Sequence, residues 1–170
     1  MSNTLNTPPE VGVRVLCILV EAAPASIDLH HLVFLDYALL HSADFGGPES
    51  LNPALTLRVG EFGMKQQWVR EGLLLMIQSN LVQMSAGDHG FEFCASERAE
   101  DFLDGFEGTY VGALRERARW VVEHLWGNDD VPLVERMRDV YEQWAHEHDV
   151  MRWELSSDEA FEASESDLCG

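Results

Sequence analysis

The run HLVFLDYALLH, residues 31–41, sets a single carboxylate, Asp36, in the middle of an apolar helix. A carboxylate buried there is costly unless a hydrogen-bonding or charged partner meets it. Any fold that uses this helix must therefore bring such a partner to Asp36. With Tyr37 beside it, Asp36 reads as a structural anchor rather than a general acid. The helix also has a defined start. Asp28 stands at the N-cap position, with Ile27 before it and Leu32 four residues after it, the arrangement of a hydrophobic staple.

An earlier helix precedes it, carried by Val15, Leu16, Leu19, Val20 and Ala23 at helical spacing and closed by Pro24. After His41 the stretch HSADFGGPESLNP, residues 41–53, contains Gly46, Gly47, Pro48 and Pro53 and cannot continue as a regular helix. The segment TLRV, 56–59, alternates as a short strand would, and Gly60 ends it. Helical spacing then returns from Phe62 to Ser79, with Phe62, Val69, Leu73, Met76 and Ile77 on one face. LVQM at 81–84, a turn over Ala86 to Gly90 and FEFC at 91–94 predict a hairpin.

A short helical piece fits between Glu97 and Phe106. Two further helices follow, one striped by Tyr110, Leu114, Ala118, Val121 and Leu125, the other by Leu133, Met137, Val140, Trp144 and His148, with Pro132 near its start. The order helix, helix, short strand, helix, hairpin predicts a mainly α chain with a winged-helix-like N-terminal domain and the hairpin as its wing. The boundaries are a polar leader at 1–10, the winged-helix-like domain at 11–95, a C-terminal helical extension at 96–154 and an acidic tail at 155–170 that is expected to be disordered.

Composition disfavours several function classes without excluding a local basic patch. The 30 acidic against 11 basic residues give a formal charge of −19, which repels nucleic acid, whose affinity for proteins comes mainly from Lys and Arg on phosphates. Three cysteines, Cys17, Cys94 and Cys169, are too few and too widely spaced for a disulfide framework or a zinc pattern, so the chain reads as cytoplasmic. The apolar run VLCILV stops at Glu21, too short for a signal peptide or a membrane span.

The chemical candidates are thin. The 41–53 stretch has no Lys followed by Ser or Thr after its glycines and is no phosphate cradle. It offers His41, Asp44 and Glu49 to a catalytic reading, but Gly and Pro at this density mark a connector. His30 and His31 are adjacent and diverge by about 100° on a helix. His146 and His148, beside Asp149, diverge as well, and HExxH is absent. A small hydrolase or metal enzyme around His41, Asp44 and His146 is the weakest of three readings. No catalytic, cofactor or metal residue is assigned.

The third helix holds Lys65, Gln66, Gln67 and Arg70, the elements of a DNA-reading helix. It also holds Met64, Trp68 and Leu75, an apolar stripe about 120° to 160° from the core stripe when each residue is stepped by 100°. A helix apolar on two sides is packed on two sides. Either the C-terminal helices or another protein covers Met64, Trp68 and Leu75. In the fourth helix Arg115 and Arg119 share a face with Val122 and Trp126, a patch that fits an acidic partner or this chain's own Glu116 and Glu123. Met64, Trp68, Leu75, Arg115, Arg119 and Trp126 are the partner-binding candidates.

The run LVEAAPASIDLHHLVFLDYALLHSADFGGPESLNPALTLRVGE, residues 19–61, resembles the N-terminal signature of the middle component of ABC-three-component systems, the group that includes the Lamassu anti-phage systems. WVREGLLLMIQSNLV, 68–82, extends the likeness. The resemblance implies a non-enzymatic adaptor linking an SMC-like ABC ATPase to an effector, often a nuclease, in a prokaryotic anti-phage or anti-plasmid complex. It implies no cofactor, DNA contact at most indirect through the complex, no membrane contact, and leaves a homodimer open. Asp36, His41, Ser42, Asp44, Gly46, Gly47, Pro48 and Glu49 would form a signature that shapes the exit of the second helix and contacts a partner. The alternative is a winged-helix transcription regulator whose third helix reads DNA.

Overall fold

The computed structural model describes residues 6–51, 58–88 and 90–127, and the helical positions 133, 135, 136, 138, 139 and 142. Helix α1 spans Pro8–Ala22 and opens at Thr7, whose backbone N–H and hydroxyl both donate to the Glu10 carboxylate. Pro8 stands where a missing N–H costs nothing. Strand β1 is only Ile27–Asp28, and helix α2 follows at Leu29–Leu40. Asp28 caps α2 by accepting the His31 N–H at 3.0 Å, and the staple residues Ile27 and Leu32 are fully buried, as the sequence predicts.

A 3₁₀ turn at Ser42–Phe45 follows α2, and helix α3 spans Arg58–Gln78. Asn80, in the left-handed region at φ 59°, ends α3 while the Leu81 N–H bonds the Met76 carbonyl at 2.9 Å. Strands β2 (Val82–Gly87) and β3 (Gly90–Ala95) form the expected hairpin, and β1 joins it antiparallel in the order β1-β3-β2. In register, Met84 faces Phe93 and Ile27 faces Phe93 from the other side. Helix α4 is Ala99–Asp104, and helix α5 is Thr109–Val121, continued by a wider turn over Val122–Trp126.

The fold is thus mainly α with a small antiparallel sheet. One expectation is corrected: Arg58 and Val59 lie in α3, not in a strand, and the helix continues through Gly60. Residues 56 and 57 of that predicted strand lie outside the described residues. Four alternating residues are too few to exclude a helix, and the strand that does complete the sheet, β1, is too short to show alternation.

Helix α2 is the centre of the molecule. Its residues Leu32 to Leu40 are all buried, covered by α1, α3 and α5. Leu114, Ala118, Val121 and Leu125 of the α5 stripe join the same core as α1, α2 and Phe93, and Leu133 reaches it too. Met137, Val140, Trp144 and His148, the leader residues 1–5 and the acidic tail lie outside the described residues. Where α1 meets α3, Gly12 and Gly72 face each other. A Cβ at position 72 would sit 2.7 Å from the Gly12 nitrogen, so the two backbones touch with no side chain between them. Among the described residues no helix is long and apolar enough to cross a membrane.

Candidate functional site

The partner that Asp36 requires is double. Arg14 of α1 donates from Nε to Oδ1 at 2.8 Å and from Nη2 to Oδ2 at 3.0 Å, and Lys65 of α3 donates from Nζ to Oδ2 at 3.0 Å. All three side chains are at most 1% exposed. Burial by itself would push the Asp36 carboxyl up. The charges of Arg14 and Lys65 and their hydrogen bonds outweigh it and hold the carboxyl far below the usual range. Arg14 is lowered by its own burial and raised more by Asp36, ending above its ordinary value. This cluster clamps α1, α2 and α3 together. It also corrects the DNA-reading expectation for Lys65, which is buried and engaged with Asp36.

Residues 41–51 form a connector that bonds to itself and to α5, and residues 52 and 53 of the stretch lie outside the described residues. The Ser42 hydroxyl donates to the Pro48 carbonyl at 2.8 Å, the Gly47 N–H to the Ser42 carbonyl at 3.0 Å, and the Ala43 N–H to the Ser50 hydroxyl at 3.1 Å. Gly46 adopts φ 77°, which favours glycine. Gly47 lies against the Trp120 indole, where a Cβ would come within 2.6 Å of ring atoms, and Arg117 Nε donates to the Glu49 carbonyl at 3.0 Å. His41 packs on the Tyr37 ring at 4.5 Å between centroids, and the Tyr37 hydroxyl reaches Asp44 at 3.5 Å. Asp44, Gly46 and Glu49 are exposed, while His41 and Ser42 are buried. Among the described residues no group of three or more His, Cys, Asp and Glu could hold a metal, and His146 and His148 lie outside them.

At the surface, Arg115 and Arg119 of α5 pair with the protein's own acids, though not the expected Glu116 and Glu123. Arg115 pairs with Asp104 at 2.6 Å and with Glu100, both on α4, and Arg119 meets Glu21 of α1 at 3.5 Å. Among the described residues it is Arg117 that pairs with Glu116, at 3.5 Å. These partners are distant in sequence, so helical spacing along α5 could not single them out. The hydrogen bond from Arg115 to Asp104 raises the Arg115 pKa. Trp126 stands edge-on to His31, 5.5 Å between centroids, and His31 in turn bonds Asp28. Burial raises the Asp28 carboxyl, but the His31 N–H and ring outweigh this and hold it low.

On α3, Trp68 and Leu75 are half-buried and Trp68 packs against the core, whereas Met64 is 55% exposed. The expected second stripe is covered along only part of its length.

Two apolar grooves flank α3. The larger, about 650 Å³, lies between α3, the start of α2 and the hairpin, and is lined by Arg70, Leu74, Ile77, Met84 and Phe91 among others. Leu74, Met84 and Phe91 are each more than half exposed. The second, about 430 Å³, lies between α1, α4, α5 and the opposite side of α3, with Leu75, Phe102, Phe106 and Tyr110 on its walls. Sequence reasoning placed Leu75 near such a surface and missed the rest. The usable signal was the pairing of Met84 with FEFC, which gives the hairpin one apolar face.

No match was found among curated proteins or among solved structures. One family model matches residues 4–147, a span that takes in the buried clamp, the connector and both grooves. The chain belongs to the family described as ABC-three component (ABC-3C) system Middle Component 2.

Proposed function

We propose that this middle component is a non-enzymatic adaptor that joins an SMC-like ABC ATPase to an effector, often a nuclease, in a cytoplasmic anti-phage or anti-plasmid defence complex of the Lamassu kind. Membership of a multi-component system supports a role within an assembly. The observation that carries the adaptor reading is the pair of exposed apolar grooves on opposite sides of α3, since an adaptor needs two faces and contiguous exposed apolar surface marks contact sites. Met64 extends the available apolar surface along α3, and Leu75 lies in the second groove. Arg115, Arg119 and Trp126 serve the adaptor by fixing α5 against α4, α1 and α2.

The helix and strand order, with the sheet arranged β1-β3-β2, supports the reading of residues 11–95 as a winged-helix-like domain. The DNA-regulator alternative is weakened by the burial of Lys65, which leaves Arg70 as the exposed cation among the described side chains of α3, and by the charge of −19. Free Cys17 and Cys94 suit a reducing cytoplasm.

The test is co-expression with the proteins encoded beside this chain, followed by size-exclusion chromatography with mass determination. Co-elution with the ATPase and the effector supports the adaptor. Elution alone, together with duplex binding that falls steeply with added salt, would replace it by the regulator.

A further inference from the structure

Taking the adaptor reading as its basis, we infer that the groove between α3 and the hairpin binds an amphipathic segment of a partner component, apolar side chains on its floor and a carboxylate on Arg70. The floor is prepared for the apolar part. Leu74 is 55%, Met84 51% and Phe91 60% exposed, and all three line this one groove beside the buried Phe93 and Leu73. The rim supplies the charge. Arg14, Lys65, Arg115, Arg117 and Arg119 are all ion-paired, as a chain with 30 acids and 11 bases would have it. Arg70 lines the groove and makes no ion pair among the described residues.

The described acids that line a pocket with it are engaged elsewhere. Asp28, also on the groove, is taken by the His31 N–H and ring, and Glu71 accepts from Gln67 at 3.2 Å. An apolar cleft with one uncompensated guanidinium at its edge is complementary to a helix or strand that alternates large apolar residues with Asp or Glu. Arginine and aromatic residues are the types that concentrate binding energy at interfaces.

The experiment uses the full chain and its co-purified complex. Hydrogen exchange is compared between the chain alone and the complex, and partner affinity is measured for Arg70→Glu, for Phe91→Ser and for Arg98→Glu. Arg98 is an exposed cation outside the groove, so Arg98→Glu reproduces the charge change alone. Thermal melts of each variant establish that the fold is intact. Expected are slowed exchange over 84–91 in the complex, affinity reduced about tenfold or more by Arg70→Glu and by Phe91→Ser, and little change for Arg98→Glu.

A complex that forms without protection of 84–91, or that binds Arg70→Glu as well as the original chain, overturns the groove assignment and leaves the adaptor standing. No complex at all overturns the adaptor and the assignment with it. Protection already present in the chain alone, and lost when Glu162, Glu165 and Asp167 are neutralised, would assign the groove to this chain's own acidic segment. Protection conferred by a DNA duplex would assign it to phosphate. Either result overturns the proposal.

Discussion

Replacing Asp36 with Asn preserves the size of the side chain and removes its charge, which isolates what the buried clamp contributes. The carboxylate accepts two hydrogen bonds from Arg14 and one from Lys65, and none of the three groups sees water. Without it, two cations remain buried with no carboxylate between them. Removing one partner of a buried ion pair costs about 3–5 kcal/mol, because the uncompensated charge remains. Against a total stability of roughly 5–15 kcal/mol this is a large share. At roughly 2–4 °C per kcal/mol for a chain of this size, Tm should fall by about 6–20 °C.

Urea titration followed by far-UV circular dichroism measures the change. Replacing the whole cluster by apolar residues, Asp36→Leu with Arg14→Met and Lys65→Met, should recover most of the loss. Acid supplies a second readout. Because the folded chain holds the Asp36 carboxyl below its ordinary value, its contribution is complete above roughly pH 4 and is lost as pH falls further, so the gap between the original chain and Asp36→Asn closes in acid. A loss under about 1 kcal/mol at neutral pH, or a gap that does not close, would refute the clamp as the anchor of α2, given what breaking a buried pair costs elsewhere.

Three smaller predictions test other parts of the structure. Arg115→Ala should cost less than about 1 kcal/mol by the same urea assay, since its partners Glu100 and Asp104 are more than half exposed; a loss as large as that of Asp36→Asn would contradict the contrast drawn between the two sites. Ser42→Ala, which strands the Pro48 carbonyl, should cost about 1 kcal/mol and leave the far-UV spectrum unchanged. At pH 8 iodoacetamide should modify Cys94 and spare Cys17, whose thiol is buried and pushed up to about 12, until urea unfolds the chain; equal labelling of both in the native protein, read by mass spectrometry, would refute the burial of α1.

The cap and staple of α2 were legible because they are local: Asp28, Ile27 and Leu32 lie within six residues. The need of Asp36 for a partner was legible too, but not the partners, which stand 22 and 29 residues away. Lys65 looked like a surface residue because it is charged and is followed by Gln66 and Gln67, and only the docking of α2 against α3 decides which positions are covered. The same limit hid the larger groove. Leu74, Met84 and Phe91 lie far apart in sequence or on separate elements, and only the placing of the hairpin beside α3 brings them to one groove, where each stays more than half exposed. TLRV failed for the opposite reason, since a strand-like alternation over four residues yields to the longer helix that absorbs Arg58 and Val59.

The contact of Gly12 with Gly72 bears on how this chain would look under saturation mutagenesis. Position 72 has no side chain to carry chemistry, yet a methyl group there meets backbone rather than a movable side chain. Every substitution should be penalised in proportion to its bulk, whatever its polarity, and Gly47, which meets the Trp120 ring rather than backbone, should show the same order with a smaller penalty. A tolerance map would therefore mark these glycines as strongly as any binding residue. The distinguishing mark is their pattern: a steric position ranks its substitutions by volume, whereas Arg70 should rank them by charge.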